Sequence, residues 1–232
     1  MKRQITASSM YDIINCHKEY IVGRLELIDG EYMKRDAKSP LEKYSDLKNA
    51  LKTQNVEKKS DFRKQYGEFF AMGQSRLIPS YYDRYFTLLE TNKTNHEVSL
   101  SEILMSLKPV SQTSKGRKSI QFSFATKLVH MINDDEPIYD SRIKMFYKKT
   151  EPPAAMEYKK RVATYIDIQK SIKDEYRHII DDKLLEPSIE CFRRMYANRR
   201  DHSDIKVIDW IIWQFVSLVN GGWIQTGNRG TR

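Results

Sequence analysis

The stretch Ser123-Phe-Ala-Thr-Lys127-Leu-Val-His130-Met-Ile-Asn133-Asp-Asp-Glu-Pro137-Ile-Tyr139-Asp140-Ser-Arg142-Ile143 reads as a short apolar helix, a polar loop closed by a proline, and the start of a second helix. Leu128, Val129, Met131 and Ile132 supply the apolar face of the first helix. Pro137 punctuates the loop, because its ring fixes φ and its nitrogen has no hydrogen to donate. Asp140 stands where the next helix begins, and aspartate is among the residues that best accept from the free amides of a first helical turn. Two groups in this stretch also carry chemistry. Lys127 offers an amine and Asp140 a carboxylate, a pair able to serve as nucleophile and as stabiliser of a cationic transition state.

The flanking sequence repeats the helical pattern. Ile13, Ile14, Cys16, Tyr20 and Ile21 mark an amphipathic helix over Ser8 to Ile21, and Gly30 with Lys34-Arg35-Asp36 marks the loop that follows. Leu41, Tyr44, Leu47 and Leu51 keep the three-and-four spacing, and Asp61 is expected to cap a helix through Phe62, Tyr66, Phe69 and Phe70. After Pro79, the residues Tyr81, Tyr82, Tyr85, Phe86, Leu88 and Leu89 make a wide apolar face that reads as core. Ser99-Leu-Ser-Glu102 is a capping box ahead of Ile103, Leu104 and Leu107, in a helix ending before Pro109. Ser111 to Ser119, polar, basic and holding Gly116, reads as a hairpin or exposed loop. A long helix is expected over Ala154 to Ile180. Pro187 suits the first turn of the next, and Ser203 or Asp204 caps a largely buried last helix from Ile205 to Val219, with Trp210 and Trp213 as packing residues.

No window alternates with period two between turn signals, so the expected class is all-α. A single helical domain is expected over residues 1–220, its two halves meeting around 108–153 near Glu151-Pro152-Pro153, with a flexible, glycine-rich tail over 221–232. At 232 residues and 40% hydrophobic content the chain can bury a substantial core. Its 40 Lys and Arg against 31 Asp and Glu, a formal charge of +9, favour a polyanionic partner such as nucleic acid. Cys16 and Cys191 lie far apart and form no metal-binding spacing with any histidine, so neither a metal nor a cofactor is expected. The opening residues lack the apolar run of a signal peptide and no window approaches a membrane span, so a cytoplasmic protein is expected.

The segment from Ser123 to Lys127, with Pro137-Ile-Tyr139-Asp140-Ser-Arg142-Ile143, resembles the heart of the helix-hairpin-helix DNA glycosylase superfamily. Ser99-Leu-Ser-Glu-Ile-Leu is similar to the helix before that family's hairpin, and Asp204-Ile-Lys-Val-Ile-Asp209-Trp-Ile-Ile-Trp213 to its closing helix. The resemblance implies two helical halves around a cleft, and cleavage of the N-glycosidic bond of a base flipped out of double-stranded DNA. Asp140 and Lys127 match the catalytic positions, with lysine the nucleophile in bifunctional members. Tyr139 and His130 would face the substrate pocket. Lys115, Arg117, Lys118, Ser123, Thr126, Arg142 and Lys144 would hold DNA, helped by the positive end of the hairpin helix. Ser123 and Ala125 stand where the family's hairpin glycines are expected. A second register instead aligns Gly116-Arg117-Lys118-Ser119 with the hairpin and makes Lys118 the functional lysine. Further basic clusters, Lys148/Lys149, Lys159/Lys160/Arg161 and Arg193/Arg194/Arg199/Arg200, could also clamp phosphates. Two other readings stay open, a helix-hairpin-helix module that binds without catalysis, and a helical protein-interaction domain.

Overall fold

Eleven α-helices account for most of the residues that the computed structural model describes, which are 7–25, 38–197 and 202–226. They are α1 (Ala7–Cys16), α2 (Lys18–Gly23), α3 (Pro40–Thr53), α4 (Ser60–Phe69), α5 (Pro79–Asn92), α6 (Leu100–Leu107), α7 (Phe122–Ile132), α8 (Ser141–Phe146), α9 (Tyr158–Asp181), α10 (Glu186–Met195) and α11 (Asp204–Asn220). Among the described residues extended pairing amounts to two isolated bridges, Leu77 with Thr113 and Gln112 with Lys118, so the chain is all-α. The loop around Gly30 and Lys34-Arg35-Asp36, the arginines Arg199 and Arg200, and the tail glycines Gly227 and Gly230 lie outside the described residues.

Local chemistry sets most helix starts. Ser39 Oγ accepts from the Glu42 amide at 3.2 Å while the Glu42 carboxylate accepts from the Ser39 amide at 2.8 Å, a complete capping box. Ser99 and Ser203 cap α6 and α11 by the first of these bonds alone, their hydroxyls accepting from the amides of Glu102 at 3.3 Å and Lys206 at 3.2 Å. Pro40, Pro79 and Pro187 occupy first turns, where a missing amide hydrogen costs nothing. Asp61 does not cap: α4 starts one residue earlier, which leaves its carboxylate in the first turn, favourably placed against the helix dipole. The expected first helix is broken at His17, whose ring bonds back to the Ile13 carbonyl at 2.9 Å, competing for the acceptor that helix continuation needs.

Helix α11 runs through the interior. Twelve of its residues, from Ile205 to Leu218, are buried. It packs against α2, α8, α9 and α10, so the first helices of the chain lie beside the last. Asn15 donates to the Leu184 carbonyl at 2.8 Å and accepts from Ser188 at 2.7 Å, and Tyr196 donates to the Val22 carbonyl at 2.8 Å. In the middle of the chain α3 packs on α4, α5 on α6 and α7, and α6 on α7 and α9, which joins these helices to α11. Tyr81, Tyr85, Phe86 and Trp210 are buried as core residues, and all buried apolar side chains join one contiguous cluster. Past α11 the chain turns at Gly221 and Gly222, the Trp223 amide bonds the Leu218 carbonyl at 2.8 Å, and Ile224 is buried.

Candidate nucleic-acid interface and lysine–aspartate site

Residues 134–140 run between α7 and α8 as irregular backbone, and interior backbone needs partners. They come from four helices. From α3, Lys48 pairs with Asp134. From α7, His130 Nδ1 donates to the Glu136 carbonyl at 2.7 Å, and Thr126 Oγ1 meets the Tyr139 amide at 3.0 Å and its carbonyl at 3.3 Å. From α9, Gln169 donates to the Pro137 carbonyl at 2.6 Å and Lys173 pairs with Glu136. From α11, Asp209 Oδ2 accepts from the Ile138 amide at 3.2 Å, and its cap Ser203 donates to the Asp134 carbonyl at 3.1 Å. The segment is thereby held at nearly every residue, and it ends on Asp140, whose Oδ1 accepts from the amides of Arg142 and Ile143 at 2.9 Å each.

Several residues expected at the site prove to be part of this scaffold. His130 is fully buried; because Nδ1 must carry the hydrogen that Glu136 O accepts, Nε2 accepts from the Tyr44 hydroxyl at 2.9 Å. Burial, reinforced by the charge of Lys206, pushes its pKa well below the usual histidine range and keeps the ring neutral. Tyr139 is buried against Phe122, with its hydroxyl donating to Glu151 at 3.1 Å, and so does not line an open pocket. Thr126 is also fully buried, out of reach of a phosphate, because its hydroxyl is needed to hold Tyr139. Ser123 lies half-buried in the first turn of α7. Arg142 stacks its guanidinium 3.5 Å above the Trp213 ring, and Lys144 pairs with Glu151 at 3.2 Å.

Lys127 and Asp140 influence each other electrostatically without pairing. Helix α7 starts at Phe122, so Lys127 lies in its second turn rather than at its start. Its amine donates to the Phe70 carbonyl at 3.2 Å and lies 5.2 Å from the Phe124 ring centroid. Burial lowers the Lys127 pKa, and the carboxylate of Asp140 partly opposes that shift. No ion pair within 4 Å joins the two, so Asp140 acts on the amine as a nearby charge.

Sequence reasoning missed a buried charge pair next to the same segment. Lys206 and Asp209, one turn apart on α11, are 2% and 4% exposed, which is unusual for either residue type. The Lys206 amine lies 4.3 Å from the centroid of the Tyr44 ring and 4.9 Å from that of Trp210. Asp209 Oδ1 accepts from the Tyr176 hydroxyl at 2.6 Å. Burial lowers the lysine pKa against the pull of Asp209, and raises the aspartate pKa against the pull of Lys206. The signal was present as two charges inside the otherwise apolar run Ile205 to Ile212.

The cations divide sharply by partner. Arg193 and Arg194 are tied to Asp204 and Glu19, and Lys149 donates to Ser171 at 2.5 Å. The hairpin between α6 and α7 is different. Gly116 turns it with φ +75°, the Thr113 amide bonds the Arg117 carbonyl at 2.9 Å, and Lys115, Arg117 and Lys118 stand exposed at its tip. Among the described residues none of those three has an acidic partner within 4 Å, nor do Lys108, Lys159, Lys160 and Arg161. No group of three or more His, Cys, Asp or Glu able to hold a metal occurs among the described residues, and no described helix is long and apolar enough to cross a membrane. Compared with known proteins, the chain matches no family model, no curated protein and no solved structure.

Proposed function

We propose that this chain binds double-stranded DNA through the α6–α7 hairpin and acts on it as a helix-hairpin-helix glycosylase does. The observation that carries the reading is the cluster of unpaired cations at the tip of a hairpin between two packed helices, with a desolvated lysine and a rigidly held carboxylate on the elements that follow it. Phosphates attract such cations wherever no carboxylate has already neutralised them.

In this reading a flipped nucleotide brings its anomeric carbon to Lys127 and Asp140. The ionised Asp140 stabilises the oxocarbenium charge as the base departs. Lys127, whose deprotonation burial eases, attacks that carbon through its nitrogen lone pair and loses a proton to water; the C1′–O4′ ring bond then breaks, its electron pair and a proton ending on O4′, and the C1′–N bond becomes an imine. Incubation with duplexes bearing a panel of damaged and modified bases, followed by borohydride, tests the chemistry. Abasic product or a trapped adduct is expected on at least one lesion, lost in Asp140→Asn with duplex affinity retained. No product and no adduct on any lesion would leave binding alone.

One observation favours that second reading, a binder without catalysis. The Lys127 amine is already engaged by the Phe70 carbonyl, and the aromatic neighbour Tyr139 is buried and bonded, so an open base pocket would require both to move.

A further inference from the structure

We infer that a hollow behind the hairpin is a recognition site for a phosphate monoester, the group carried by a free nucleotide or by a phosphorylated strand end. The hollow has a volume of about 380 Å³ and is lined by Lys108, Ser111, Lys118, Ser119, Tyr158 and Arg161. Three elements build it: the turn after α6 contributes Lys108, the hairpin Ser111, Lys118 and Ser119, and the first turn of α9 Tyr158 and Arg161. This site does not depend on glycosidic chemistry, and it lies apart from Lys127 and Asp140, neither of which lines it.

Three features make the hollow a place for an anion. Its lining carries three cations and no carboxylate, and none of the three cations has an ion-pair partner within 4 Å among the described residues. Glu151 is committed to Lys144 at 3.2 Å and to the Tyr139 hydroxyl at 3.1 Å, and Glu157, the N-cap of α9, is exposed and does not line the hollow. The Nε of Arg161 is buried with no hydrogen-bond partner, while the rest of its guanidinium interacts with the Tyr165 hydroxyl. The α9 amino end, at the head of a 24-residue helix, adds its positive dipole.

Convergence of three cations fits the two negative charges of a monoester better than the single charge of a diester. The volume leaves room for a sugar beside the phosphate, and the two serine hydroxyls can donate to its oxygens. Tyr158 gives the floor its shape: its hydroxyl is fixed on the Leu104 carbonyl at 2.9 Å, and the Lys108 amine lies 4.8 Å from its ring centroid.

Calorimetric titration of the whole chain with inorganic phosphate and with AMP tests the site, using Arg161→Gln, Lys108→Gln and, as a control off the hollow and the hairpin, the exposed Lys43→Gln. Binding of at least one probe is expected, weakened about tenfold by either Arg161→Gln or Lys108→Gln, as loss of one charge-assisted contact predicts, and unchanged by Lys43→Gln. Competition by duplexes with and without a 5′ phosphate then separates the sources. Displacement of AMP only by the phosphorylated duplex identifies a strand end as the ligand, and displacement by neither identifies a free nucleotide. Absence of binding by both probes at millimolar concentration, or binding indifferent to both Gln variants in folded protein, overturns the site. Unphosphorylated duplex binding that survives such a result would leave the hairpin reading standing, so the two fail independently.

Discussion

Lys206 and Asp209 carry opposite charges one turn apart in the interior, and each makes the other tolerable. A buried pair stabilises little in itself, but removal of one partner strands the other in a medium that cannot solvate it. Between about pH 7 and 8, where both groups are charged, Lys206→Met is therefore expected to lower stability by about 3 kcal/mol, whereas Lys206→Met/Asp209→Asn is expected within about 1 kcal/mol of the parent, since Asn can accept from the Ile138 amide and donate to the Tyr176 hydroxyl. Urea unfolding checks this, and simple additivity would refute it. The same titration at several pH values tests the charges. Asp209, raised to about 7 from 3.8, keeps in the folded chain a proton that the unfolded chain has released. Its contribution is therefore full at low pH and lost as pH rises toward 7. Lys206, lowered to about 8 from 10.5, contributes in the opposite sense, adding stability as pH climbs above 8. Between pH 5 and 7 the parent should lose stability relative to Asp209→Asn. The sequence marked α11 as largely buried but did not show that Lys206 and Asp209 lie on its buried sides, because only the folded chain reveals that α2, α8, α9 and α10 surround it.

At the scale of elements, the 134–140 segment shows how a loop can be as fixed as a helix. Its partners Lys48, Thr126, His130, Gln169, Lys173, Ser203 and Asp209 come from four helices spread over most of the chain. Only its end was legible beforehand: Pro137 and Asp140 announced a loop and a cap, and Asp140 does cap α8 through two amides. The helices themselves were readable because caps, prolines and apolar spacing are local, as the starts at Pro79, Ser99 and Ser203 show. The polar scaffold was not, since His130 and Thr126 reveal their partners only once the chain has folded. Asp140 thus serves as cap whatever else it does, and the two roles separate by substitution. Asp140→Ala should cost about 1 kcal/mol of stability, while Asp140→Asn, an equally good cap, should cost under about 0.5 kcal/mol. Thermal unfolding of both variants is the measurement. A large loss in Asp140→Asn would mean that the charge itself is structural, and would undercut its use as a probe of catalysis.

Across the whole molecule, a net charge of +9 says less than where the charge is unpaired. Lysines and arginines bound to carboxylates, such as Lys48, Lys144, Lys173, Arg193 and Arg194, contribute little to the field felt by a polyanion. Lys108, Lys118 and Arg161, none with an ion-pair partner among the described residues, meet where the hairpin approaches the first turn of α9, and Lys115 and Arg117 stand exposed beside them in sequence. A duplex that docks there releases one counterion for each phosphate neutralised, and the dependence of log affinity on log salt counts them at about 0.9 each. Replacement of Lys115, Arg117 and Lys118 together by alanine should therefore weaken binding to undamaged duplex and flatten the slope by up to about 2.7, while Arg193→Ala/Arg194→Ala should leave it nearly unchanged. Fluorescence anisotropy over a series of salt concentrations gives both numbers. An unaltered slope in the triple variant would remove the hairpin from the interface. Equal losses in both variants would mean that the charge acts through its total rather than its placement.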